Sequence, residues 1–192
     1  MLRRSFMALA LVALCAQAYS AELEIGAKAP EFKDLPGTDG KEYSLADMKD
    51  AKVVVVCFTC NQCPMSVNYE DRFVEFAKKY NAKGVKFIAI NANKANDTET
   101  LEAMKTRAEE KGFTFPYVYD ASGESASAYG AKVTPHLFVL DKDRAVAYVG
   151  SFDDKANNPS KHYVSDAVDA LLAGKKVEVS SNKAFGCGIR NK

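Results

Sequence analysis

Val53-Val54-Val55-Val56-Cys57-Phe58-Thr59-Cys60-Asn61-Gln62-Cys63-Pro64 runs from a β-branched, apolar stretch into a C-x-x-C pair and then a proline. An unbroken apolar run over 53–58 predicts a strand buried on both faces of a sheet. From Pro64 to Tyr80 the residues Tyr69, Phe73, Phe76, Ala77 and Tyr80 recur at helical spacing, so a helix is expected straight after the cysteines. Pro64 suits the first turn of that helix, where a backbone N–H is not needed. Such a junction places the cysteines where the first helical N–H groups lack partners and the dipole leaves partial positive charge. A thiolate is stabilised there, its pKa falling from ~8.5 toward ~3.5–7.5. Cys60 is therefore expected to be the exposed, attacking sulfur. Cys63 lies nearly one helical turn on and can reach back to resolve a mixed disulfide and close the Cys60–Cys63 ring. The bland alternative is a static disulfide or a buried packing pair. Asn61 and Gln62 are uncharged and leave open whether the pair oxidises or reduces.

Working outward, turn signals fall at Pro36-Gly37, Asp39-Gly40, Lys83-Gly84, Ser122-Gly123 and from Asn157 to Ser160. Between them the periodicity predicts a hairpin arm over 40–45, strands over 86–91, 115–119, 137–140 and 145–149, and helices over 98–111, 124–129 and 163–172. Gly174 is a stop signal for the last helix. The order β-α-β-α-β-α-β-β-α indicates an α/β sandwich, a mixed central sheet with helices on both faces. Residues beyond Gly174 read as a polar tail ending Gly186-Cys187-Gly188-Ile189-Arg190.

The chain has 192 residues, 47% of them apolar, and a net charge of +1, which suits one domain with a substantial core. Near-balanced charge argues against a nucleic-acid footprint and against a polybasic membrane anchor. At the N-terminus, Arg3 and Arg4 precede an apolar run from Phe6 to Ala16 and small residues around Ala18 and Ser20. This is the pattern of a secretory signal peptide, expected over residues 1–20, with no stable membrane insertion after its removal. The apolar run is shorter than the ~20 residues of a membrane-spanning helix. Arg3-Arg4-Ser5-Phe6-Met7 also partly matches a twin-arginine export signal. Cys15 would leave with this segment, so Cys57, Cys60, Cys63 and Cys187 are expected to work in an oxidising, periplasmic or external compartment.

The strand–C-x-x-C–helix segment resembles proteins of the thioredoxin-fold superfamily. A second landmark is Tyr129-Gly130-Ala131-Lys132-Val133-Thr134-Pro135-His136-Leu137-Phe138, where Pro135 sits at the place of that superfamily's cis-proline. The resemblance implies that Pro135 faces the dithiol and that the Thr134 backbone receives a substrate strand. More closely, Ala29-Pro30-Glu31-Phe32, Asp39-Gly40-Lys41, Leu171 to Lys175 and the Gly186–Arg190 end resemble a redoxin or peroxiredoxin-like group with a C-x-x-C. It implies a thioredoxin-like, three-layer domain over 21–174 followed by a tail over 175–192. Two departures matter. With Cys60 as a peroxidatic sulfur, Cys57 and Val53 stand where peroxiredoxins carry Thr or Ser and Pro. Val54 stands where thioredoxins carry a buried Asp, so water or another carboxylate must take the proton of Cys63.

Further candidates are open to two readings each. Cys57 is a small core residue, or a third redox or metal partner. Cys187, between two glycines, is an idle tail thiol, or folds back to bridge Cys57, shield the active thiol or pair with another molecule. His136 is a strand-edge histidine, or tunes the thiolate or binds a metal. His162 and the charged helix over 98–111 read as solvated surface. The leading expectation is an exported thiol–disulfide oxidoreductase acting on protein thiols and disulfides, with no cofactor beyond its own redox-active disulfide. The alternatives are a thiol peroxidase, and a metal-binding or metallochaperone protein that uses Cys60, Cys63 and His136 for copper or the C-x-x-C-x-x-C spacing for a cluster.

Overall fold

A computed structural model of the chain describes residues 22–94 and 96–190. The expected signal segment and Cys15 lie outside the described residues. A small antiparallel pair opens the fold: β1 (Leu35–Pro36) beside β2 (Glu42–Tyr43), followed by a 3-10 turn at Leu45–Met48. The expected hairpin is this pair. The remaining elements are β3 (Val53–Phe58), α1 (Pro64–Asn81), β4 (Val85–Asn91), α2 (Leu101–Lys111), β5 (Tyr117–Tyr119), α3 (Glu124–Tyr129), β6 (Val133–Thr134), β7 (His136–Leu140), β8 (Val146–Gly150), α4 (Tyr163–Leu172) and β9 (Cys187–Gly188).

The central sheet runs β5-β4-β3-β7-β8. Strand β3 pairs in parallel with β4 and antiparallel with β7, so it is hydrogen-bonded on both sides. All six of its residues are buried. Its side chains alternate between two core layers, as the two-residue period of a strand demands. Val53, Val55 and Cys57 face α1, α4 and Met104 of α2, whereas Val54, Val56 and Phe58 face Tyr129 of α3 and Leu45 of the 3-10 turn. Two apolar layers around one sheet account for the sandwich.

Helix α1 packs through Tyr69, Phe73, Phe76, Ala77 and Tyr80, the residues its periodicity singled out. Phe73 is 1% exposed and its ring meets Tyr69, Phe87 and Phe152 at centroid distances of 5.8, 5.5 and 5.2 Å. Glu70 on the same helix is buried and takes two hydrogen bonds from Arg107 of α2, at 2.9 and 2.7 Å. The charged helix α2 is thus tied to α1 by a bidentate pair, not only solvated. Residues 175–190 are docked: Val177 is buried, and Val149 of β8 exchanges hydrogen bonds with Ser180 and Asn182.

Removing the Phe73 ring leaves a cavity between three aromatic neighbours. Phe73→Ala is expected to lower unfolding free energy by ~3–5 kcal/mol in urea titration. Ile25→Ala, at a site 45% exposed, is expected to change it by no more than ~0.5 kcal/mol.

Candidate active site

Strand β3 delivers the sulfurs to the end of the sheet at which it stops, after Phe58. Phe58 is paired with Ile90 on one side and His136 on the other. Thr59 still donates to the Ile90 carbonyl at 2.9 Å, so the chain leaves the sheet only at Cys60. Cys63 is the N-cap of α1 with Pro64 directly after it, and its carbonyl accepts the first helical bond from Val67 at 2.9 Å. The two cysteines are therefore anchored at opposite ends, Cys60 by the sheet and Cys63 by the helix.

Glu99 holds the loop between them. Its two carboxylate oxygens accept the Asn61 N–H at 3.1 Å and the Gln62 N–H at 3.0 Å, and Asn91 Nδ2 donates to it at 2.6 Å. The side chain is 1% exposed, a carboxylate sealed in by donors. Asn61 is fixed in turn, donating to the Thr98 carbonyl at 2.8 Å and accepting from the Tyr117 hydroxyl at 2.9 Å. The sequence reading missed Glu99 because it carried α2 back to Thr98. Thr100 is the true N-cap, its side chain accepting from Ala103 N–H, and that leaves Glu99 in the preceding loop. A carboxylate is thus present beside the dithiol although Val54 occupies the thioredoxin-type position.

Thr134 faces both sulfurs, and the Thr134–Pro135 bond is cis. Thr134 Oγ1 lies 3.3 Å from Cys60 Sγ, and as a thiol Cys63 donates to the Thr134 carbonyl at 3.0 Å. A third sulfur completes the group: Cys187 Sγ lies 2.7 Å from Cys63 Sγ. Cys187 reaches this position because β9 pairs antiparallel with β6, Thr134 opposite Cys187 and Val133 opposite Gly188. All four described cysteines are free thiols. A cavity of about 340 Å³ opens beside them, lined by Cys60, Cys63, Glu99, Cys187 and Arg190 among others.

The expectation of an exposed Cys60 does not hold in this arrangement: Cys60 is 4% exposed and Cys63 2%, while Cys187 is exposed. Nor does the charge fall where expected. The Cys60 hydrogen bond pulls Cys63 down to about 4 against the cost of burial, with Cys187, the Ser66 N–H and Thr134 helping. Cys60 is pushed well up, first by that same bond to Cys63, then by burial and by the negative charge of Glu99, with Thr134 opposing. The physical reason is position. Cys63, not Cys60, caps the helix and collects the donors, while Cys60 sits nearer the buried carboxylate.

Cys57 and His136 are not part of this group. Cys57 is fully buried beneath the helices, where burial alone raises its thiol pKa, so it packs as a core residue. His136 is 2% exposed and shares the α3-side layer with Phe138, their rings 4.8 Å apart. Its Nδ1 accepts the Lys132 N–H at 3.4 Å, its Nε2 lies 2.8 Å from Glu22 Oε1 without hydrogen-bond alignment, and burial lowers its pKa. Strand alternation turns His136 away from the sulfur side, so Cys60, Cys63 and His136 do not assemble as a copper site. Cys57 likewise does not extend the pair into a cluster site. Among the described residues no three His, Cys, Asp or Glu side chains are grouped to hold a metal ion.

A mixed α/β sheet that ends a central strand in a C-x-x-C, opposite a cis-proline, defines a thioredoxin-like redox protein. The chain belongs to the redoxin family, whose model matches residues 24–171. It is 32% identical over 127 residues, 65% of this chain and 68% of the relative, to the thiol-disulfide oxidoreductase ResA of Bacillus thuringiensis. A relative from Mycobacterium tuberculosis described as a peroxiredoxin is 29% identical over 143 residues, 68% of this chain and 86% of that one. Among solved structures, a hypothetical protein from Sinorhizobium meliloti superposes with a TM-score of 0.83 at 36% identity, covering 90% of this chain and 97% of its own.

The hydrogen bonds from Cys60 and Cys187 lower the Cys63 pKa from the ordinary thiol value of 9.0, to about 4. The thiolate absorbance of the reduced protein is expected to show one transition near pH 4, absent in Cys63→Ser; a first transition at the ordinary thiol value of 9.0 would contradict the assignment. Glu99→Gln removes a negative charge beside Cys60, so the later, alkaline transition is expected to move to lower pH.

Proposed function

We propose that the chain is an exported thiol–disulfide oxidoreductase that exchanges disulfides with extracytoplasmic proteins through Cys60 and Cys63. The observation that carries this is the meeting of both sulfurs with Thr134 at the end of β3, beside a backbone edge that pairs with an extended segment, here β9 of the same chain. The name of the ResA relative supports the reaction class. Export rests on the N-terminal pattern of Arg3, Arg4 and the apolar run from Phe6 to Ala16.

The mechanism uses the coupling of the two thiols. The two thiols share a proton, and when it rests on Cys63 the S–H points to the Thr134 carbonyl at 3.0 Å, leaving Cys60 as the thiolate. Cys60 Sγ, now a thiolate with the Thr134 hydroxyl 3.3 Å away, attacks a partner disulfide. Its leaving sulfur departs with the electron pair, and a mixed disulfide forms. Cys63 then loses its proton and attacks Cys60 Sγ. The partner is released as a dithiol and Cys60–Cys63 closes as a disulfide. The proton that Cys63 loses passes to solvent, and the departing partner thiolates take up protons from water. Thr134 and Pro135 position the partner chain.

A peroxidase reading has the M. tuberculosis relative in its favour and the site against it. Cys57 and Val53, at the positions of the peroxidatic signature, are buried in β3 and offer Cys60 no hydroxyl.

Cys63→Ser is expected to accumulate mixed disulfides joined through Cys60, and Cys60→Ser to lose insulin reduction to background. If wild type fails to reduce insulin, or if partners are caught on Cys63 instead, the assignment is wrong. Hydrogen peroxide consumption with a thiol donor that outpaces insulin reduction would favour the peroxidase reading.

A further inference from the structure

The last described residues do not trail away from the domain. Residues 180–182 run along the edge of β8, where Asn182 binds the Tyr148 hydroxyl through Nδ2 at 2.9 Å and accepts the Ser151 N–H at 2.9 Å. The chain then crosses to the cis-proline edge. Gly186, at φ 153°, passes so close to the Thr134 carbonyl that a Cβ would overlap it. Beyond it, β9 lies between two segments of the active site. Ile189 N–H donates to the Lys132 carbonyl at 3.0 Å, and Arg190 N–H to Asn93 Oδ1 at 2.7 Å. Lys94 N–H donates to the Arg190 carbonyl at 2.5 Å. This strand occupies the edge that the proposed function reserves for a partner chain, and it carries a cysteine at the register position opposite Thr134.

We propose that Cys187 is a third redox cysteine, which takes the disulfide from the buried pair as Cys63–Cys187 and passes it to partners at the surface. This deepens the oxidoreductase reading and rests on it. Two observations carry it. Cys187 Sγ and Cys63 Sγ lie 2.7 Å apart, near the ~2.05 Å of a disulfide bond, so little movement joins them. Cys187 is also the exposed cysteine of the three, whereas Cys60 and Cys63 are buried.

The exchange balances. With Cys60–Cys63 oxidised, Cys187 gives its proton to water and its thiolate attacks Cys63 Sγ. The Cys63–Cys187 bond forms as Cys60–Cys63 breaks, and the electron pair leaves on Cys60, which takes up a proton. One disulfide and one thiol exist before and after. A thiolate of a partner dithiol then attacks Cys187, and Cys63 leaves as a thiolate, the favoured charge position of the site. The partner's second thiolate attacks its own sulfur in the mixed disulfide. The partner is oxidised to a disulfide and Cys187 is freed as a thiolate that takes up a proton. Run in reverse, the same steps reduce a partner disulfide.

The experiment is acid trapping, alkylation and peptide mapping of the full chain equilibrated in oxidised and reduced glutathione. Wild type is expected to show both Cys60–Cys63 and Cys63–Cys187 linked peptides. Cys60→Ser should convert fully to an intramolecular Cys63–Cys187 disulfide, and Gly186→Ala, which forces β9 off Thr134, should lose that linkage. If Cys60–Cys63 forms and insulin is reduced while no Cys63–Cys187 peptide is found in wild type or Cys60→Ser, the relay is overturned and the oxidoreductase reading stands. If neither linkage forms in any variant, both fall.

Discussion

Everything at this site depends on β3 being paired on both sides right up to its last residue, Phe58. A strand with ladders to β4 and β7 cannot slide or tilt, so the residue that follows it has one place to go. Cys60 is fixed by that constraint, and Cys63 by its role as N-cap of α1. Two anchors on different elements, three residues apart, hold the sulfurs together without demanding a disulfide. Thr134, the last residue of β6 and two before the start of β7, then meets both because β7 is in register with β3 at Phe58 and His136.

Electrostatics follow from that geometry. The site holds three thiols and one carboxylate, of which Cys60, Cys63 and Glu99 are buried and Cys187 is exposed. One sulfur, Cys63, can be charged at lower cost than the others, since Cys60 and Cys187 lie within its hydrogen-bonding reach. A second charge is opposed by the first, by burial and by Glu99. The result is a cluster that keeps a single thiolate and moves its proton among close sulfurs, which is the ordinary requirement of exchange chemistry.

Much of this was legible in the residues. The apolar run over 53–58 allowed only a doubly covered strand, and the spacing of Tyr69, Phe73 and Tyr80 fixed the inward face of α1. Helices α3 and α4 begin and end where their periodicity placed them. What stayed hidden is long-range. Nothing around Glu99 distinguishes it from the other glutamates nearby; its burial comes from Asn91 and the loop after Cys60, which fold against it. Strands β6 and β9 have two residues each, too short for any periodicity, and their pairing joins positions more than fifty residues apart in sequence. Which sulfur would carry the charge was likewise out of reach, because it is set by donors from three separate segments. His136 looked close to the dithiol in sequence and is turned to the other face by the simple alternation of a strand.

The most direct measurement is a redox titration of the purified chain in dithiothreitol buffers, with the fraction of alkylatable Cys60 and Cys63 read at each poise. A reversible two-electron transition, tenfold in ratio for each ~30 mV, is the outcome that a working dithiol at the end of β3 requires. Cysteines that remain fully alkylatable across the whole range would contradict it.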